Sequence, residues 1–345
     1  MANTITEYGY LSNSPVLKGI VKTIVNESPF LARLPFREIA GNSLLYNLES
    51  TEASVNNYAT GDTWVENTTV WAQRNVALTI IGGDADVDSF AQQTRSNQQD
   101  VAAAVIELKA KAIADYFEKQ AIRGYTGTAY STKDVKGLMH LLAECESSSA
   151  TDWDGSIYTN PGAGNNTQVV TAATDSLALT IDMMDILRDL VKPKPDAFIM
   201  SRMARNKLAS LARAQGNNLE YVADSRRLGH LVAMYGEQEV MISDWAPNNI
   251  QDGSGSGAGY VTTRSTNFAT TRASGYDNTV IFAVRFDDND GVAGVTNGWI
   301  QTEEIGKLET KDAERTRIKF YCNMANFGKV SLAGLINTVP GTALS

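Results

Sequence analysis

The stretch GDTWVENTTVWAQRNVALTII, Gly61 to Ile81, followed by DVAAAVIELKAKAIADYFEKQAIRG, Asp100 to Gly124, decides how the rest of the chain is read. The first segment is the returning side of a polar ribbon that begins at Leu44-Leu45-Tyr46-Asn47-Leu48-Glu49. The ribbon carries Tyr58, Trp64, Trp71 and scattered valines, but no apolar run able to build a core. Leu44 to Glu49 and Val76 to Ile81 read as strands, and Asn56-Asn57 and Gly61-Asp62 mark turns between them. Arms of roughly 15 residues at ~3.3 Å per residue would reach about 50 Å, so the hairpin is expected to project. A two-stranded ribbon is marginal in water by itself. Its aromatics therefore need a surface, and that surface is expected on another copy of the chain. Tyr58, Trp64, Trp71 and Arg74 are the candidate assembly contacts: tryptophan anchors interfaces well, and Arg74 is placed against an acidic neighbour in an adjacent copy.

The second segment predicts a long helix over Gln99 to Arg123. Val101, Val105, Leu108, Ala112 and Tyr116 recur at helical spacing, with Ile106, Ile113 and Phe117 widening the stripe. Glu107 with Lys111 and Asp115 with Lys119 are favourable i,i+4 pairs, and Gly124 ends the helix. Between ribbon and helix, Asp84, Asp86 and Asp88 alternate with Ala85 and Val87, so a strand would put the three carboxylates on one face. A hard cation such as Ca²⁺ fits that face, and so does a solvated or inter-subunit face, which is the reading preferred here.

Upstream, residues 1–43 read as an extended arm. Pro15 to Val25 forms a short helix with Val16, Ile20 and Ile24 on one face and Ser14 as its cap, and Pro29 and Pro35 interrupt any continuation. The arm has too few apolar groups to fold alone and is expected to lie across another copy. Downstream, residues 144–170 read as a surface loop rich in Ser, Gly and Asn. A second unit follows. Leu177 to Lys192 is an amphipathic helix ended by Pro193 and Pro195, Ala197 to Met200 a buried strand, and Arg202 to Ala214 a further helix. Glu239 to Ser243 and Thr279 to Val284 read as strands, Ala246 to Tyr260 as a turn-rich loop, and Arg317 to Asn337 as strand, turn at Gly328, strand. The order of elements is that of an α+β fold.

Composition narrows the function. The chain has 345 residues, 43% of them hydrophobic, a formal charge of −9 and a pI near 4.9. An acidic chain without a basic stripe is poorly suited to gripping phosphates, although it can enclose DNA without sequence-specific binding. Cys145 and Cys322 form neither a metal-spaced pair nor a disulfide framework, as fits a reducing compartment. Met1 to Asn13 lacks the pattern of a signal peptide, and no window approaches the ~18 apolar residues of a membrane span. Synthesis in the cytoplasm and no membrane partner are expected. His140 and His230 read as structural or surface residues rather than catalysts or zinc ligands. Gly306-Lys307 and Gly328-Lys329 lack the rest of a phosphate-binding loop, Gly253 to Gly259 fits no dinucleotide fingerprint, and no nucleophile elbow occurs. Asp287-Asp288-Asn289-Asp290-Gly291 is out of register for a calcium loop and reads as a turn. No catalytic residue, cofactor or metal is expected, and the chain is not read as an enzyme.

Three segments, in this order, resemble the major capsid proteins of tailed bacteriophages of the Hong Kong 97 type. They are the ribbon with Asp62-Thr63-Trp64-Val65-Glu66 near its tip and Leu78 to Ile81 returning into the long helix, the Leu179 to Leu211 helix–strand–helix, and the terminal Ile318 to Leu335 strands. The resemblance implies an α+β, Hong Kong 97-like fold with an N-terminal arm (1–43), an extended hairpin loop (44–83) and a peripheral domain with a spine helix (84–170). An axial domain (171–300) and strands returning to the peripheral domain (301–345) complete it. It further implies a subunit that self-assembles into hexamers and pentamers of an icosahedral shell around double-stranded DNA. Such a subunit is a virion component made in the bacterial host cytoplasm, working with a portal and, in some members, decoration proteins. The arm begins at Met1 without the long coiled-coil extension of self-scaffolding members, so a separate scaffolding protein is expected. No lysine occurs between Lys22 and Lys109, so the isopeptide cross-link that some members make from a loop lysine should be missing. An encapsulin, a bacterial nanocompartment of the same fold enclosing an enzyme, is the alternative. A hydrolase using Asp84, Asp86 and Asp88 is the rival from another class; it would need a pocket that raises a carboxyl pKa.

Overall fold

Residues 28–51, 55–66, 70–95, 101–124, 133–146, 168–171, 177–216, 220–224, 230–246, 279–328 and 330–339 are described in a computed structural model of the chain. The arm helix expected over 15–25 lies outside them, as do most residues of the loops expected over 144–170 and 246–260; of the first, residues 144–146 instead close a helix and residues 169–170 open a strand.

The described chain begins inside the core. Ser28 caps helix α1 (Pro29–Arg33), its Oγ accepting from Leu31 N at 3.2 Å, and Pro29 sits where a missing N–H costs nothing. Phe30, Leu31 and Leu34 are buried, as is Phe36 at the start of strand β1 (Phe36–Glu38). The arm was expected to stay extended as far as residue 43; its last part is instead built into its own subunit. Four large apolar side chains within seven residues bury too much surface to remain outside.

Strands β2 (Ser43–Thr51) and β3 (Val70–Ala77) form the hairpin, with Ser43 opposite Ala77 and Thr51 opposite Val70. Among the described residues they form a sheet of two strands with no third neighbour. Strands of 9 and 8 residues are shorter than the arms expected from the sequence, and the regular ladder spans about 30 Å. The return strand is also displaced from Val76–Ile81: Leu78 turns its N–H to Asn42 O at 2.8 Å, and strand β4 (Thr79–Asp88) starts afresh in another sheet.

That sheet has five strands. The long strand β14 (Ala313–Asn326) pairs along one side with β4, from Ala313 opposite Asp88 to Cys322 opposite Thr79. Its other side pairs first with β13 (Gln301–Lys307) and then with β12 (Val292–Thr296), and β1 runs parallel to β12. Gly294 of β12 faces Phe36, and a Cβ there would run into the Phe36 ring. Gly294→Ala should destabilise the subunit by about 1 to 3 kcal/mol through overpacking, measured as a lower denaturant midpoint.

Helix α2 (Ser89–Arg95) leads to helix α3 (Val101–Arg123), which packs on β4 and β14 and against helix α4 (Leu138–Glu146). The buried face of α3 is Ala110, Ile113, Ala114, Phe117, Ala121 and Ile122. Ile113 and Phe117 lie where the sequence puts them. Leu108, Ala112 and Tyr116 do not: they face outward, with Leu108 66% and Tyr116 46% exposed. The alanines let the helix lie close to the sheet, so the closest-approach face is the one of small residues rather than the one of larger ones. Glu107 and Lys111 pair at 3.5 Å as expected. Asp115 and Lys119 both engage Trp245 instead, Asp115 Oδ1 accepting from Nε1 at 2.8 Å and the Lys119 ammonium lying 5.1 Å from the ring centroid.

The second sheet has eight strands in the order β5 (Val169–Thr171), β15 (Leu332–Val339), β11 (Thr279–Val284), β7 (Ala197–Met200), β10 (Gln238–Ile242), β9 (His230–Tyr235) and β8 (Glu220–Asp224), with β6 (Leu177–Ala178) also on β15. Alternation explains why β7 and β11 are buried throughout. Ala197, Ile199, Phe282 and Val284 face the core shared with α1, α3 and α4, while Phe198, Met200, Ile281 and Ala283 face helices α5 (Ile181–Leu190) and α6 (Arg202–Ala214). Thr180 and Ser201 cap these helices, accepting from Met183 N at 3.3 Å and Ala204 N at 3.1 Å. Helix α5 thus starts later than the pattern from Leu177 implies, because Leu177 and Ala178 belong to β6. Both terminal strands were expected in the unit with the long helix. The chain instead changes sheets between Asn326 and Leu332, leaving β14 beneath α3 and β15 beside β11.

Candidate assembly surface

Alternation along the hairpin sorts its side chains. Leu45 and Trp71 point outward, and Trp71 is 63% exposed. At the tip Tyr58 and Trp64 stack at 4.3 Å between centroids, and the Tyr58 hydroxyl accepts from Val65 N at 3.1 Å, yet Trp64 remains 78% exposed beside exposed Val55 and Val65. A stack that leaves one tryptophan face in water is a preformed patch of apolar surface.

The other hairpin face is anchored. Val76 packs with Ile39, Val295 and Ala325, and the Tyr46 ring meets Phe327 edge-on at 5.0 Å. Burial raises the Tyr46 phenol above its ordinary range. Arg74 belongs to this face. It is 8% exposed, and its Nη2 donates to Glu144 O of α4 at 3.0 Å in the same chain. The expectation that Arg74 meets an adjacent copy is therefore corrected. Arg74 and Val76 share parity, whereas Trp71, Gln73 and Asn75 are exposed, and that alternation was present in the sequence.

Glu144 is the hub of the anchor. Its Oε1 accepts from Lys136 Nζ at 2.6 Å and from His140 Nε2 at 3.1 Å, and Lys136 Nζ also donates to Asn75 O at 3.0 Å. Burial pushes the Glu144 carboxyl up, but the His140 hydrogen bond and the Lys136 charge outweigh it and hold the pKa at about 2. Asn323 of β14 adds a link, accepting from Lys136 N at 2.8 Å and donating to Ala77 O at 2.5 Å. His140, 2% exposed, is thus a structural residue of the hairpin root, and His230 opens β9.

The acidic run on β4 meets arginines from 229 and 233 residues away. Arg315 binds Asp86 through two bonds at 2.6 and 2.7 Å, and Arg317 binds Asp84 at 2.6 and 2.9 Å. These hydrogen bonds hold both carboxyls below their ordinary range, opposite to what a catalytic acid needs. Asp88 caps α2 through Phe90 N at 2.9 Å. The Asp84–Asp86 face is thus engaged by arginines rather than open to a cation, and exposed pairs of this kind contribute little to stability. The 287–291 segment is the turn expected: Asp287 Oδ1 accepts from Asn289 N at 3.0 Å, and Arg285 pairs with Asp287 and Asp290 at 3.2 and 3.0 Å. Among the described residues, no group of three or more His, Cys, Asp or Glu is placed to hold a metal, and no helix is long and apolar enough to cross a membrane.

No family model and no curated protein matches the sequence. Solved structures do. The chain is similar to the encapsulin of the holo-SrpI complex from Synechococcus elongatus PCC 7942, with a TM-score of 0.60 and 15% identity over 100% of this chain and 99% of that one. It is similar to the capsid of the native GTA particle, with a TM-score of 0.56 and 11% identity over 88% of each chain. It is also similar to a chain of Mycobacterium phage Ogopogo, with a TM-score of 0.56 and 13% identity over 89% of this chain and 91% of that one. This chain has the Hong Kong 97 fold. The segments on which the sequence resemblance rests are the hairpin leading through β4 into α3, the run from α5 through β7 to α6, and the strands β14 and β15.

Proposed function

We propose that the chain is the major capsid protein of a tailed phage, assembling as hexamers and pentamers into an icosahedral shell around double-stranded DNA. The observation that carries this reading is the hairpin. Leu45 and Trp71 are exposed on the two-stranded sheet, and Val55, Trp64 and Val65 at its tip, and the described residues of the subunit do not cover them. Burying one such side chain against a neighbour gains about 1.5 to 3 kcal/mol. A heterologous contact repeated around a ring closes it, and a lattice of such rings multiplies modest contacts. The eight-stranded unit would meet its copies at the capsomer centre, and the unit with α3 and the five-stranded sheet would meet them at the capsomer edges. A portal, a separate scaffolding protein and decoration proteins are the partners this role requires or permits. Assembly takes place in the host cytoplasm, with no enzymatic activity. The net charge of −9 suits a wall that encloses DNA without gripping it.

Trp71→Asp tests the contact. Exposed in the free subunit, Trp71 can be replaced with a change in stability of about 0.5 kcal/mol or less. Particle yield by sedimentation should fall severely, and undiminished yield would contradict the reading. The likeness to an encapsulin across the whole chain supports a second reading, a compartment around protein cargo. Particle contents separate the two, since nuclease-protected DNA fits the first and a co-purifying enzyme the second.

A further inference from the structure

Glu118 of helix α3 is 7% exposed, and its carboxyl lies where three elements meet. The hydroxyl of Ser243, just past the end of β10, donates to Glu118 Oε1 and accepts from Trp245 N at 3.2 Å. The Ser28 hydroxyl, which caps α1 by accepting from Leu31 N at 3.2 Å, is the second partner of the carboxyl. Both serines are buried, so each spends its single hydroxyl proton on Glu118. Ser243 N also donates to Met200 O at 3.0 Å, which fixes this point to β7. One carboxyl therefore ties α3, packed on the five-stranded sheet, to α1 and to the eight-stranded sheet.

The charges around it are committed to other groups. Arg33 of α1 binds Glu239 of β10, Nε donating to Oε2 at 2.6 Å. Asp244, in the turn after β10, pairs with Arg202 of α6 at 3.2 Å. On α3 itself, Lys119 and Arg123 lie over the Trp245 ring, 5.1 and 5.7 Å from its centroid, and Asp115 accepts from Trp245 Nε1 at 2.8 Å. An ionised Glu118 is thus held by two hydroxyl dipoles, and a buried charge so held costs more than the neutral group. Burial pushes the carboxyl above its ordinary range; the two serine hydroxyls oppose this, and the charges of Asp115 and Asp244 add to it. Protonation keeps the hydrogen bonds, since a carboxylic acid can accept from one serine and donate to the second lone pair of the other.

We propose that Glu118 is a proton-operated latch joining α3 to the cap of α1 and the end of β10: a proton taken up in mildly acidic solution fastens the junction, and its loss loosens it. The device belongs to the single subunit and stands apart from shell formation. The sign follows from linkage. The folded carboxyl titrates above an ordinary 4.5, so the stability that protonation adds is complete below pH 4.5 and is lost as pH rises through the folded value. This is opposite to Glu144, which is held at about 2, and it occupies a separate pH window.

Urea denaturation of the purified full-length chain, run from pH 4.5 to neutrality, tests the latch. Glu118→Gln keeps the shape and the hydrogen-bonding capacity of the side chain while removing its charge. At neutral pH its midpoint should lie above that of the wild type, and the difference should close as pH falls to 4.5. The ratio of folded to unfolded wild type, relative to the variant, should change by no more than about tenfold per pH unit, as a single proton requires. A midpoint below wild type at neutrality, or a difference that does not vary with pH, overturns the proposal. Ser243→Ala takes a donor from the charged form and should lower the midpoint more at neutrality than at pH 4.5. An equal loss at both also overturns it.

Discussion

Replacing residues 52–69 by Asn-Gly is expected to abolish particle formation while leaving a folded, soluble subunit. The substitution joins Thr51 to Val70, which already face each other across the ladder. Asn-Gly supplies the positive φ angles that a two-residue hairpin turn needs. It removes Val55, Tyr58, Trp64 and Val65, none of which contributes to the buried clusters of the body. A wider deletion reaching Asn75 would confound the result, because Arg74 and Asn75 belong to the anchor of the hairpin on α4. The denaturation midpoint should match that of the full chain, whereas size-exclusion chromatography and electron microscopy should show no shells. Shells of normal yield and size from the shortened protein would remove the hairpin tip from the assembly mechanism.

Glu144→Leu is expected to destabilise the subunit by about 3 to 5 kcal/mol at neutral pH, because it leaves Lys136 without its buried counter-charge. The side chains of Lys136 and Glu144 are 13% and 9% exposed, so solvent offers little relief. The pH dependence has a definite sign. The Glu144 carboxyl titrates at about 2 in the folded chain against an ordinary 4.5, so its contribution is complete above pH 4.5 and is lost as pH falls through 2. The gap between wild type and Glu144→Leu should therefore shrink progressively as acid is added across that window. Urea denaturation at neutral pH and again near the bottom of the window reads both effects. A difference under about 1 kcal/mol at neutral pH would show that the hub does not hold the hairpin root.

Much of the fold was legible in local sequence, for reasons particular residues show. Strand β7, helix α6 and strand β11 lie where the apolar runs and Pro193 and Pro195 place them. Strands β12 and β13 were not read at all: β13 is exposed along its length and carries little apolar patterning, so only its pairing with β14 defines it. The face of α3 was misassigned because hydrophobicity ranks Leu108 and Tyr116 above Ala110, Ala114 and Ala121, whereas close packing on a sheet selects the small residues. The partners of Asp84 and Asp86 lie beyond two hundred residues of chain, a distance at which no local pattern speaks. At the hairpin, the exposure of Trp64 and Trp71 followed from the absence of a core, while Arg74 was lost by ignoring its shared parity with Val76.

A cryo-electron microscopy map of whatever the purified full-length protein forms tests the central claim most directly. The expected result is a closed particle in which the hairpin of each subunit lies on the next, with Trp64 and Trp71 buried at that contact. A monodisperse small species whose hairpin is folded back on its own body, with both tryptophans covered from within, would contradict it.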